Sequence, residues 1–216
     1  MSGSHGTFIV VEGPEGSGKS TLVAGLAERM LERGIDPVRV REPGGTAVAE
    51  AVRQALLNPD HEVDPLAEVF LFLAARADLV ARVIEPGLQA GRVILADRFA
   101  LSTEVYQVAG RGLDPDLVGK ANRAAVGTAT PSVTLVIDLP ADVGLQRQHD
   151  GGLDRDRLDR EDLDFHRRVA QAYVEASGPG VEHLDGTAPA ATLLENAWQV
   201  LLSRCPETFG EIGSSV

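Results

Sequence analysis

Gly13, Gly18, Lys19 and Ser20 stand in "GPEGSGKST" at the spacing G-x-x-x-x-G-K-[ST], directly after the apolar run "FIVVE". Glycines at these positions let a backbone curl with its N–H groups pointing inward. Those donors, with the positive end of a following helix, hold an anion. Pro14, Glu15, Gly16 and Ser17 fill the loop and Thr21 follows it, so residues 13–21 form a candidate phosphate cradle. Lys19 suits the outer phosphates of a bound nucleotide, and the Ser20 hydroxyl suits Mg²⁺. A second acid for that ion is Asp97, which ends the apolar run "VILAD". It reads either as a magnesium-holding carboxylate or as a solvated strand end.

Phosphoryl chemistry also needs a receiver. Phe72 and Arg76 are four residues apart and share a helix flank. An aromatic face beside a forked donor suits a nucleobase, although the same pair also reads as a packing ring and a solvated charge. In "DRFALSTEVYQ", Arg98 follows a strand end, where ligands bind in open α/β sheets, and is placed to pair with a substrate phosphate. Ser102, Thr103, Tyr106 and Gln107 add hydroxyl, phenol and amide groups behind it. A capped helix start would carry similar residues.

These groups need elements to hold them. Five β-rich runs occur at 8–12, 38–42, 92–97, 133–138 and 181–185, mostly separated by helical periodicity. Such alternation predicts a parallel sheet covered on both faces. Helices are predicted over about 19–33, closed by Gly34, and after Pro65. The latter carries an apolar stripe of Leu66, Val69, Phe70, Leu73, Ala77, Val80 and Ile84, with Pro86 ending or kinking it. Further helices start near Asp162 and cover about 190–204. The stretch 148–162, "QHDGGLDRDRLDRED", is poor in apolar residues and reads as a solvated lid on a single domain spanning 1–216.

Composition excludes other classes. The net charge of −12 argues against a nucleic-acid binder with a broad basic surface. No apolar run reaches membrane-spanning length, and "MSGSHG" does not open a secretory signal. Cys205 is the lone cysteine, which fits a reducing cytoplasm. Lysine occurs only at 19 and 120, so a chain that otherwise uses arginine has kept one lysine in its glycine-rich loop. GTPase switches, ATPase motors and small kinases all use such a loop. No N-K-x-D stretch is present to read guanine.

The stretches "EGPEGSGKST", "REPGGT", "FLAAR", "DRFALSTEVYQ" and "DRLDRED", in this order and spacing, resemble the thymidylate kinase family from about Phe8 to Pro189. Glu15 in the loop, with arginines in the later lid, is similar to its bacterial subtype. The resemblance implies a P-loop NTP hydrolase-like α/β fold, ATP and Mg²⁺, dTMP as acceptor, and a homodimer. It implies that Phe72 stacks on thymine, that Arg76 contacts its O4, and that Thr103 and Gln107 lie at its polar edge. Arg98 would bind the 5′-phosphate, with Arg41 and Pro43 walling that site. Tyr106 would lie at the sugar 2′ position, Glu15 near the 3′-hydroxyl, and Arg147 and "DGTAP" near adenine. Of the lid arginines, Arg155 is the expected transition-state cation, Arg147 its alternative, and Arg157 an anchor through ion pairs. The remaining readings are another nucleoside monophosphate kinase or a P-loop ATPase without a small acceptor.

Overall fold

The computed structural model describes residues 6–152 and 156–210. Five strands form one wholly parallel sheet: β1 (Thr7–Glu12), β2 (Val38–Arg41), β3 (Val93–Asp97), β4 (Val133–Asp138) and β5 (Val181–Asp185), in the order β2-β3-β1-β4-β5. Successive side chains of a strand point to opposite faces, so a central strand covered on both sides must be apolar throughout. In β1, Phe8 and Val10 enter one core with Leu79, Ile84, Ile94 and Phe99. Ile9 and Val11 enter the other with Leu22, Leu26, Met30 and Trp198.

Helix α1 (Lys19–Glu32) covers the second core together with α9 (Ala190–Arg204). Gly18 precedes α1 at φ 93, a left-handed conformation that favours glycine. Thr46 caps α2 (Ala47–Leu57), and Asp64 caps α3 (Pro65–Leu79). The chain then passes through a π-helical turn at Val80–Ile84 into α4 (Glu85–Gln89). Pro86 therefore does not end this helix. The wider turn just before it accommodates a ring with no N–H to donate. After β3 come α5 (Ala100–Thr103), a second π-helical stretch at Glu104–Gly110, and α6 (Pro115–Val126). The remaining helices are α7 (Ala141–Asp150), α8 (Leu163–Glu175) and α10 (Pro206–Phe209). Among the described residues, no helix is long and apolar enough to cross a membrane.

Two expectations need correction. In α3 the predicted stripe is not all buried: Leu66 and Phe70 are exposed, while Glu68 and Arg76 lie inside. The helix packs against both α2 and α6, and buried partners offset the charges on those flanks. The lid is also not wholly a solvated excursion: among its described residues, Arg157, Leu158 and Asp159 dock onto the protein. Residues 148–150 complete α7, and Leu158 packs against Tyr106 and Phe165. Arg157 donates through its amide to the Leu57 carbonyl and through Nε to the Leu56 carbonyl, at 3.1 and 2.7 Å. The ion pair of Arg157 with the buried Glu68 lets a charged stretch dock. Arg155 lies outside the described residues.

Candidate active site

Parallel order brings the chemistry together. Val11 in β1 pairs with Asp97 in β3, and Arg41 in β2 pairs with Asp97 from the other side. The loops leaving β1, β2 and β3 thus emerge side by side at the carboxyl edge of the sheet. They line a cavity of about 580 Å³ bordered by Glu15, Lys19, Arg41, Pro43, Phe72, Arg76, Arg98, Thr103, Tyr106 and Gln107. A second cleft on the outer side of the cradle is lined by Thr21, Gly25, Arg147, Pro189 and Leu194. Arg147 borders both spaces and donates to the Gly186 carbonyl at 2.9 Å.

The cradle depends on a close backbone approach. A Cβ on Gly16 would sit 2.1 Å from the Gly144 carbonyl oxygen, and one on Gly144 would sit 2.2 Å from that of Glu15. Only glycine fits at either place, so α7 is seated directly on the loop. Lys19 Nζ donates to the Pro14 carbonyl at 2.7 Å across the curl. Burial, reinforced by the charge of Arg98, lowers its pKa to about 8, against the pull of Glu15, Asp97 and Glu12. The Ser20 hydroxyl donates to Asp97 at 2.9 Å. A hydroxyl and a carboxylate from two neighbouring loops are hard oxygen donors that fit Mg²⁺, which commonly takes its other ligands from phosphates and water.

Arg98 sits between the two sides of the site. It has φ 71, in the left-handed region that a non-glycine residue seldom occupies. Its amide donates to the Val11 carbonyl at 2.9 Å, and the next amide, of Phe99, donates to Glu12 at 2.8 Å. The guanidinium reaches Gly13, Ser102 and Tyr173 through Nη1 and Glu15 through Nη2. Glu15 also accepts from Tyr106. Burial alone would raise the Glu15 carboxyl, but hydrogen bonding from His166, the charges of Arg98 and Lys19, and the Tyr106 hydroxyl bring it down to about 2. Burial drives Tyr106 well above its ordinary pKa, so it stays a donor. A partly buried carboxylate and guanidinium therefore hold each other in place beside the cradle.

On the far wall, Phe72 is half-buried against the cluster containing Tyr106, Leu158 and Phe165, with part of it facing the cavity. Arg76 is buried and fully used by the protein. Nε donates to Glu42 at 2.8 Å, Nη1 to Thr103 and Asn122 at 2.7 and 2.6 Å, and Nη2 to Glu42 and the Phe99 carbonyl. All five of its N–H groups have protein acceptors. Gln107 is also buried and donates through Nε2 to Glu68 at 2.9 Å.

Several residues here take no role from the sequence, although Glu12, Glu42 and Leu158 lie within the quoted motifs. Glu42, Arg53, Leu57 and Leu158 line the cavity. Arg53 donates to the Pro43 carbonyl at 3.0 Å, and Glu12 accepts from Ser102 and Tyr173 beneath Arg98. A glutamate just before a glycine-rich loop, or an arginine inside α2, looks like any helix or strand-end charge until the fold is known.

The model of the thymidylate kinase family matches residues 11–196. The thymidylate kinase of Deinococcus radiodurans is 40% identical over 204 residues, covering 93% of this chain and 98% of that protein. That of Halothermothrix orenii is 45% identical over 171 residues, covering 78% and 83%. That of Synechococcus sp. (strain JA-2-3B'a(2-13)) is 42% identical over 202 residues, covering 92% and 96%. Likeness on this scale takes in the cradle, the "REP" strand end, α3 and the docked lid segment together, and the chain belongs to the thymidylate kinase family.

Proposed function

We propose that this chain transfers the γ-phosphoryl group of ATP to the 5′-phosphate of dTMP, with residues 1–216 acting as one kinase domain. The observation that carries this reading is the placement of Arg98, between the cradle on β1 and a cavity walled by Phe72, Thr103 and Gln107. The P–O bond to the bridging oxygen of ATP breaks, and its electron pair stays on ADP. A new P–O bond forms to an oxygen of dTMP that is already an anion, so no strong general base is needed. The chain's task is alignment and charge neutralisation. Lys19 and the cradle amides hold the donor phosphates, while Arg98 holds the acceptor phosphate in line. Ser20 and Asp97 would hold Mg²⁺, which supplies charge neutralisation on the donor phosphates. Arg147 and residues 185–189 accommodate adenine in the outer cleft. Arg155 or Arg147 supplies the lid-side cation, and the docked Arg157 anchors the lid. Glu15 and Tyr106 face the deoxyribose. The exposed Leu66 and Phe70 on α3 favour a homodimer.

ADP release in a coupled assay, with and without dTMP, tests the reaction. Turnover that depends on dTMP is expected. Equal release without any nucleotide acceptor would make the chain an ATPase. Within the acceptor site, Phe72→Ala is expected to weaken dTMP binding by about 1–3 kcal/mol through lost stacking, with ATP affinity nearly unchanged. Calorimetry showing the opposite pattern would remove α3 from the acceptor site.

The lowered pKa of Lys19 gives a pH dependence. In the free protein its ammonium loses its proton as pH rises through about 8, so ATP affinity should fall above that point. A Lys19→Met variant should be weak and flat over the same range. Folding stability moves the other way: between about 8 and the unfolded value of 10.5, the unfolded chain binds more protons, so this residue's contribution rises with pH. A flat wild-type binding profile from about pH 7 to 9.5 would refute the assignment.

A further inference from the structure

Glu68 has no part in the reaction as described above, yet it is among the most completely buried charged residues of the molecule. It lies on α3 one turn before Phe72. Its carboxylate accepts from Gln107 Nε2 at 2.9 Å, from Arg111 Nε and Nη2 at 3.2 and 3.1 Å, and from Arg157 Nη2. Arg111 continues to Glu161 at 2.6 Å, beyond the docked lid segment's own arginine. Burial alone would raise the Glu68 carboxyl, but its partners Arg111, Gln107 and Arg157 outweigh that and lower it. The group is therefore an anion that can only accept.

An ionised carboxylate on one side of a glutamine fixes which end of the amide faces it. The NH₂ end of Gln107 turns to Glu68, and the carbonyl end is left for the cavity wall that Gln107 forms. A carbonyl there accepts from a ring N–H and repels a ring nitrogen lone pair. We propose that Glu68 is a positioning residue for base selection: it holds Gln107 as an acceptor, so that the site takes a pyrimidine whose N3 carries hydrogen and rejects one whose N3 does not. The same carboxylate clamps Arg157, so the residue that sets the reading of the base also seats the lid beside it. This deepens the reading of the acceptor site as a dTMP site and rests on it.

The test compares wild type with Glu68→Gln, reading the KM for dTMP and the inhibition constant of dCMP as its competitor. The neutral amide that this substitution puts on α3 offers Gln107 either an oxygen or an NH₂, and so frees the Gln107 amide to turn over. The dTMP KM is expected to rise and the dCMP constant to fall, narrowing the preference about tenfold or more, in line with one buried hydrogen bond made wrong. A merely structural role lowers the active fraction for both ligands and leaves their ratio unmoved. An unchanged ratio in a folded Glu68→Gln protein would overturn the proposal. Arg157→Gln, which loosens the lid but keeps the Glu68–Gln107 bond, should lower kcat and preserve the ratio. A narrowed ratio there would place base selection in the lid instead. Should Glu68→Gln fail to fold, Glu68→Asp keeps the charge while drawing the carboxylate back from Gln107, and the same ratio decides. Wild-type turnover of dTMP is the control: its absence would sink the dTMP reading itself, whereas normal turnover with an insensitive ratio would sink only the role of Glu68.

Discussion

Arg98→Ala is expected to slow phosphoryl transfer by about 10³-fold or more in single-turnover measurements, the scale on which arginines that neutralise a transferring phosphoryl group act. The side chain lines the cavity that lies between the cradle and the Phe72 wall. Its Nη1 and one hydrogen of Nη2 are committed to Gly13, Ser102, Tyr173 and Glu15, which fix the guanidinium plane. Nε and the remaining Nη2 hydrogen have no acceptor among the described residues, and the proposed reading gives them to phosphate. Truncation removes those donors and also strips Glu15 of its nearest guanidinium partner. The pKa of Glu15, now about 2, should climb, because the burial that opposes ionisation stays. Arg98→Lys should recover only part of the rate, since an ammonium cannot hold Glu15 and a phosphate with one planar fork. A chemical step within about tenfold of wild type in Arg98→Ala would show that alignment comes from elsewhere.

The second large effect is on stability. Arg76→Met should cost about 3–5 kcal/mol, the range for breaking a buried ion pair from one side. For a chain of this size that lowers the melting temperature by roughly 10 °C. Methionine keeps most of the bulk, so the loss is electrostatic. Glu42 stays buried with no counter-charge, and Thr103, Asn122 and the Phe99 carbonyl lose a donor. Burial already raises the Glu42 carboxyl against the pull of Arg76, so the unpaired acid would take up a proton. The double variant Arg76→Met/Glu42→Gln should recover more than half of the lost stability, because the penalty lies in the orphaned charge. Thermal unfolding measures all three proteins. A single variant that melts within about 2 °C of wild type would mean that Arg76 is not the hub its hydrogen bonds describe.

Arg76 marks the boundary between what could and could not be read in the chain. Its spacing from Phe72 is visible in the sequence, and both residues do line one cavity. Its burial is not visible, because the partners that make burial tolerable come from residues 42, 99, 103 and 122. Spacing four apart reports a shared flank, and a flank between two packed helices is inside the protein. The same packing leaves Leu66 and Phe70, which fit the apolar stripe, on the outside. The lid departs from its composition for a related reason. A run of Asp and Arg has the makeup of a solvated loop, but Arg157 finds Glu68 across 89 residues of chain, and the charge is neutralised where it docks.

The sequence by itself determined the five strands, the cradle from Gly13 to Thr21, and the order of the motifs. These depend on local rules: apolar runs bury on both faces, glycines permit the curl, and a lysine and a serine follow at fixed distance along the chain. Only the tertiary structure decided which carboxylates and guanidiniums meet. Glu15 with Arg98, Glu42 with Arg76 and Glu68 with Arg157 are joined across 83, 34 and 89 residues. Glu12 and Tyr173, 161 residues apart, are set together beneath Arg98. A charged side chain has no preference along the chain strong enough to name its partner. The choice falls to whichever opposite charge the packed elements carry into the same desolvated space, where an unpaired ion would cost too much to leave alone.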